Sequence, residues 1–157
     1  MKIPKFLFRF LNPIVIALLH TPLHRIFSSS VVALFFTGRR SGRKLSTPVR
    51  YLRQDDTLTI LTNDDSRWWP NFSEPTLIEV QLQGERRGAT AQAHTPPDPL
   101  VRTAIRDMLT AHPADAAYLD IERDSSSAAV DGQWEHRSFE AAVAKTVIVR
   151  VTLAAGA

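Results

Sequence analysis

The run Val31–Phe36, VVALFF, leads straight into Thr37-Gly38-Arg39-Arg40-Ser41-Gly42-Arg43-Lys44, TGRRSGRK. Two glycines and four cations in eight residues cannot extend a helix or a buried strand, so the chain must turn there. The apolar run before the turn is rich in β-branched and aromatic residues, as strands are. After it, Ser46–Arg53 alternates loosely around Pro48, Val49 and Tyr51. The pattern predicts two paired strands joined by a cationic turn, with donor-less Pro48 at a strand start or edge.

The same punctuation continues downstream. Asp55-Asp56 precedes a third strand, Thr57–Thr62, and Leu77–Leu82 with Arg87–His94 read as a hairpin around Gly84-Glu85. Pro96, Pro97 and Pro99 open a helix in which Leu100, Ala104, Ile105, Met108 and Leu109 recur at helical spacing up to His112. Pro113–Tyr118 reads as a short helical segment. Residues 123–135 are polar, with Ser125-Ser126-Ser127 and Asp131-Gly132, and read as a mobile loop. Phe139–Ala144 forms a short helix, and Val147, Val149 and Val151 mark a strand that closes the sheet. The expected fold is mainly β with appended helices: a small barrel of about six mostly antiparallel strands over residues 31–157.

Residues 1–30 stand apart. Lys2, Lys5 and Arg9 precede Ile14–Leu19, too short a run for a span of about 20 residues. No A-x-A site follows that would mark a cleaved signal. Pro4, Pro13 and Pro22 divide the segment into short helical pieces, with Phe6, Phe10, Leu11, Ile14 and Leu18 on one face. Such a segment either packs on the domain or lies in an anionic membrane interface.

Charge is distributed unevenly. Residues 1–54 hold ten Lys/Arg and no acid; residues 55–157 hold nine Lys/Arg against sixteen acids. A basic half suits an anionic partner: phosphate, nucleic acid or a membrane surface. The chain has no cysteine, which excludes disulfides, thiolate catalysis and Cys-based metal or iron–sulfur sites. His20, His24, His94, His112 and His136 lack metal-ligand spacing, and no serine sits in a G-x-S-x-G context, so neither a metal site nor a serine hydrolase is expected.

Two stretches could carry chemistry. In the cationic turn, Gly38 and Gly42 permit close backbone approach, so several N–H groups could face one anion. Arg39, Arg40 and Arg43 add charged donors, and Ser41, Ser46 and Thr47 add hydroxyls. A solvated turn, a cradle for a phosphorylated ligand and a nucleic-acid patch all fit. Nucleic acid is the least expected, because Tyr51 is the only nearby aromatic. The second stretch is Trp68-Trp69-Pro70-Asn71-Phe72, whose tryptophans either anchor the loop or offer a face for stacking, with Asn71 beside them. A phosphate cradle and an aromatic platform without an acid–base dyad point to chemistry done by a bound cofactor.

Together, FTGRRSGRKLSTPVRYLRQDDTLTILTN and RWWPNFSEPTLIEVQLQG resemble the deazaflavin-dependent nitroreductase and quinone reductase family, over about residues 31–95. The resemblance implies a split β-barrel like that of the flavin-binding pyridoxamine phosphate oxidases. It also implies coenzyme F420, a deazaflavin with a phosphodiester and a polyglutamate tail, with FMN as the alternative. By position, Arg39, Arg40, Ser41, Gly42 and Arg43 would meet phosphate and tail. Leu45, Ser46, Thr47, Pro48, Val49 and Arg50 would run along the cofactor. Leu61, Thr62, Asn63, Arg67, Trp68, Trp69 and Asn71 would form the other wall, and Tyr118 would stand over the substrate.

The chain departs from the family pattern at Leu45, where arginine is usual, at Asp64-Asp65, where small residues are common, and at Arg50, where an aromatic is usual. The activity implied is hydride transfer to a quinone, nitro compound or activated alkene. The alternative is a non-catalytic split-barrel protein binding lipid, haem or flavin at a membrane. A cytoplasmic enzyme follows, with residues 1–27 either packed on the domain or resting on the inner membrane face, no nucleic-acid partner expected and a homodimer left open.

Overall fold

Tyr51 is where the sheet turns back on itself. The computed structural model describes residues 30–155; the expectations for residues 1–29 lie outside them. Among the described residues, seven strands form one antiparallel sheet: β1 Val31–Thr37, β2 Lys44–Arg50, β3 Leu52–Gln54, β4 Thr57–Asn63, β5 Thr76–Leu82, β6 Glu85–His94 and β7 Thr146–Leu153. Their order across the sheet is β2-β1-β5-β6-β7-β4-β3. β2 and β3 therefore lie at opposite edges, yet only Tyr51 separates them in the chain. The sheet must curl until its edges approach, which makes it a split β-barrel. Tyr51 is buried at that corner, and burial pushes its phenol pKa up.

Strand alternation sorts the side chains into two layers. Val32, Leu34, Phe36, Leu58, Ile60, Ile78, Val80, Val149 and Val151 fill the barrel interior with Phe72. On the outer face, Ile148 and Leu61 meet the helical layer. That layer is α1, Pro99–Ala111, and α2, His136–Lys145. Val101, Ile105 and Leu109 of α1 meet Phe139 of α2 there, all essentially buried. Full burial of each such side chain is worth about 1.5–3 kcal/mol. Asp98 caps α1 by accepting from the Leu100 N–H at 2.9 Å, and Pro99 occupies the first turn. Glu135 caps α2 by accepting from the N–H groups of Arg137 and Ser138 at 2.8 and 2.6 Å.

Several sequence expectations need correction. Ser46–Arg53 is not one strand: it breaks at Tyr51 into pieces that join opposite edges of the sheet. The β5–β6 turn is Gln83-Gly84, both at positive φ (50° and 85°), one residue before the expected Gly84-Glu85. That geometry suits the right-handed twist of a two-residue hairpin. β7 is interior, between β6 and β4, and both its faces are largely buried. The 123–135 loop is tied down: Trp134 is buried, bridges to Arg123 and Val130, and lies under the Arg123 guanidinium at 5.1 Å.

Candidate functional site

The β1–β2 turn closes largely on its own backbone. Gly38 N–H donates to the Arg43 carbonyl and Gly42 N–H to the Gly38 carbonyl, each at 2.8 Å. Gly42 sits at φ 64°, which glycine adopts without strain. Arg43 N–H reaches Ser41 Oγ at 3.3 Å, and Arg39 N–H is held by Asn71 Oδ1 at 2.8 Å. The nest of several free N–H groups expected from the sequence is thus reduced. Only Arg40 and Ser41 keep backbone N–H groups without a hydrogen bond among the described residues.

The opposite wall is the loop after β4. Thr62 Oγ1 donates to Ser66 Oγ at 2.9 Å, and Trp69 Nε1–H donates to the Asp64 carbonyl at 3.0 Å. A 3₁₀ turn, Trp69–Phe72, follows, and Asn71 Nδ2 donates to the Trp68 carbonyl at 2.8 Å. Phe72 is wholly buried, with its ring edge-on to Phe36 at 4.9 Å and to Trp68 at 5.9 Å. The barrel core thereby fixes Asn71, and Asn71 fixes the cationic turn.

Between the two walls lies a groove of about 520 Å³. The turn contributes Gly38, Arg39, Arg40 and Ser41; the loop contributes Ser66, Arg67, Pro70 and Asn71; Leu45 forms an apolar ledge. The guanidinium groups of Arg39, Arg40 and Arg67 have no ion-pair partner among the described residues. Three unneutralised cations around one groove, with hydroxyls and free N–H groups beside them, are complementary to an anion with several oxygens.

The other candidate residues are placed differently. Gly42 and Arg43 are exposed at the tip and line none of the described grooves. Along β2, Leu45, Thr47 and Val49 share the inner face, and Val49 packs on the barrel core. Ser46, Pro48 and Arg50 share the outer face, where Arg50 pairs with Asp115 at 2.8 Å. Leu61 packs on the helical layer, and Thr62 is buried. Trp68 and Trp69 are half-buried against the barrel core rather than lining the groove.

Asn63 and the two aspartates, Asp64 and Asp65, face a separate cavity of about 220 Å³, shared with Tyr118 and Lys145. The acids that would oppose an anionic ligand therefore stand outside the cationic groove. Pro70 lies in the stretch singled out in the sequence, whereas Ser66, which also lines the groove, was not. Its position between Asp65 and Arg67 was the only available signal.

Residues 21–121, more than half of the chain, match the family model described as F420H(2)-dependent quinone reductase. No curated protein matches the chain. Similar solved structures include one titled an F420-H2 dependent reductase, at 17% identity and TM-score 0.46, covering 76% of this chain and 93% of that one. A structure titled a domain-swapped dimer has 14% identity and TM-score 0.47, covering 81% and 92%. A FAD- and haem-binding protein from Mycobacterium smegmatis has 13% identity and TM-score 0.44, covering 87% and 73%. Likeness at this level says nothing of what this chain binds.

Proposed function

The chain belongs to the F420H2-dependent quinone reductase family, a family of oxidoreductases, and from that premise we propose that its cationic groove holds the phosphodiester of F420. The donor set fits that group. Arg39, Arg40 and Arg67 offer charge-assisted hydrogen bonds to phosphate oxygens, and the Arg40 and Ser41 N–H groups add two more. Leu45 removes a cation from the place where the family usually carries arginine, and Arg67 supplies one from the opposite wall. The observation that carries the reading is that three guanidinium groups without an ion pair among the described residues line one groove, whose two walls Asn71 joins.

Bound F420H2 supplies a hydride. The protein's share would be positional: Arg39, Arg40 and Arg67 would neutralise the anionic portion of the cofactor, and Leu45 would offer it an apolar wall. The acceptor belongs to the quinone, nitro or activated alkene class. Full reduction of a quinone takes the hydride and one proton. We assign that proton to Tyr118 Oη, which is re-protonated from solvent because Tyr118 is 72% exposed. The Tyr118 cavity adjoins the loop whose other side walls the cationic groove, which supports an acceptor there.

Titration of the purified protein with F420 and, in parallel, with FMN tests the reading. Micromolar F420 binding that weakens as salt rises is expected. Absence of micromolar binding to either cofactor overturns it, and FMN binding alone moves the site to flavin chemistry. Contact of residues 1–27 with an anionic membrane forms part of the same proposal, because quinones dissolve in membranes.

A further inference from the structure

Beside the cationic groove, strands β1 and β5 part company. Their ladder ends at Phe35↔Glu79, although β1 remains paired to β2 as far as Thr37↔Lys44 and β5 to β6 as far as Thr76↔Ala91. A groove of about 390 Å³ opens in the gap, and Leu45 is the wall it shares with the cationic groove. It is apolar and open to solvent: Leu77 is 85% exposed and Leu45 40%, two of the three exposed large hydrophobics among the described residues.

Its rim is cationic. Arg86 lies 4.2 Å above the Phe35 ring and 3.8 Å from Glu79, offsetting the one acid there. Among the described residues, Lys44 Nζ donates only to Thr37 Oγ1, and neighbouring Arg43 has no anionic partner.

We infer that this face docks on an anionic lipid bilayer, with Leu77 entering the acyl boundary and Lys44, Arg43 and Arg86 against the headgroups. An exposed leucine rimmed by three cations against one acid, Glu79, has the chemistry of an interfacial anchor. A second copy is disfavoured, because a two-fold contact would bring two sets of Arg43, Lys44 and Arg86 together with only one lining acid, Glu79, from each copy. Nucleic acid would gain nothing from an exposed leucine that cannot stack. The inference rests on neither residues 1–29 nor the cofactor.

Because the chain has no cysteine, Leu77→Cys gives a single labelling site in the full-length protein. The variant, carrying an environment-sensitive fluorophore, is mixed with vesicles of phosphatidylglycerol and phosphatidylcholine. The expected result is a blue shift, with quenching by nitroxide lipids, that is absent with phosphatidylcholine alone. The same label at Ser125→Cys, in the loop over the helical layer, should not respond.

Leu77→Ser should lower vesicle partitioning about tenfold, and Lys44→Gln about fivefold. Circular dichroism checks that each variant is folded. Sedimentation with vesicles while the Leu77 label stays silent would assign binding to another surface and overturn the inference. So would absence of sedimentation, or a blue shift without lipid that grows with protein concentration, which would make the face a contact between copies. An F420 titration of the same labelled protein keeps this outcome separate from that of the cofactor proposal.

Discussion

The backbone N–H of Arg39 donates to Oδ1 of Asn71 at 2.8 Å, joining two walls of a groove from residues 32 apart in sequence. Asn71 also donates Nδ2 to the Trp68 carbonyl at 2.8 Å, so one amide serves both walls. Asn71→Ala removes both bonds and leaves two backbone groups to water, and should cost about 1–2 kcal/mol of stability in denaturant unfolding. Asn71→Asp keeps the acceptor for Arg39 but loses the donor and adds a charge beside the anion site. It should lower F420 affinity more than Asn71→Ala does, although the turn is better held. Titration of both variants beside their unfolding curves separates these effects.

Arg39, Arg40 and Arg67 are exposed and lack ion pairs among the described residues, so they contribute little to folding. Each change to Ala should weaken F420 binding about tenfold, as loss of one charge-assisted contact does, with melting temperature unchanged. The loss should shrink in high salt, where the remaining attraction is screened. Arg50→Ala is the contrast. Its guanidinium is committed to Asp115, so F420 affinity should stay within about twofold while the segment preceding Tyr118 loosens.

The two glycines of the turn should fail for different reasons. A Cβ on Gly42 would meet nothing within 4 Å, so Gly42→Ala costs only its left-handed backbone, about 1 kcal/mol, and Gly42→Asn less. A Cβ on Gly38 would lie 2.7 Å from Ser41 Oγ and 3.0 Å from Leu45 Cδ1. Gly38→Ala must therefore displace the serine that holds Arg43 N–H and the ledge that floors the groove. F420 affinity should fall clearly for Gly38→Ala and little for Gly42→Asn, as paired titrations would read.

The first strand and its turn could be read from sequence because both signals are local: an apolar run, then glycines. The break at Tyr51 could not. The loose alternation continues through Pro48, Val49 and Tyr51, and nothing local says that the two halves serve opposite edges. β7 was legible as a strand but not as an interior one, though Ile148 between Val147 and Val149 signalled two buried faces. Trp134 and Val130, isolated in a polar stretch, were the missed sign that the loop packs down. In the site, charge pointed to Arg39 and Arg40. The partnership of Asn71 with Arg39, and of Arg50 with Asp115 across 65 residues, exists only once the sheet has curled.

Stability should have an acid limb. Hydrogen bonds from the Leu100 N–H and from His94 hold Asp98 below its ordinary value of 3.8. The Arg102 fork, at 2.6 and 2.7 Å, holds Glu140 below 4.5. The N–H groups of Ser138 and Arg137 do the same for Glu135. A carboxyl with a depressed folded-state pKa stabilises fully above its unfolded pKa and loses that contribution as pH falls through the folded one. Melting temperature should therefore be insensitive to these groups above pH 4.5 and fall below it. Asp98→Asn keeps an acceptor for Leu100, so its acid limb should be shallower than that of the unmodified chain.

Tyr118 separates proton delivery from cofactor binding. It follows the 3₁₀ turn Pro113–Ala117, its N–H donates to the Asp115 carbonyl at 3.0 Å, and its side chain stands 72% exposed beside Asn63, Asp64 and Lys145. None of these residues lines the cationic groove. Tyr118→Phe removes only the hydroxyl, so F420 affinity and melting temperature should not change. If Oη supplies the acceptor's proton, steady-state quinone reduction should slow about a hundredfold, the lower end for a positioned acid. The solvent isotope effect on kcat should change with it, because proton delivery then comes from water. An unchanged kcat would remove Tyr118 from the reaction and leave solvent as the proton source throughout, without touching the assignment of the cationic groove.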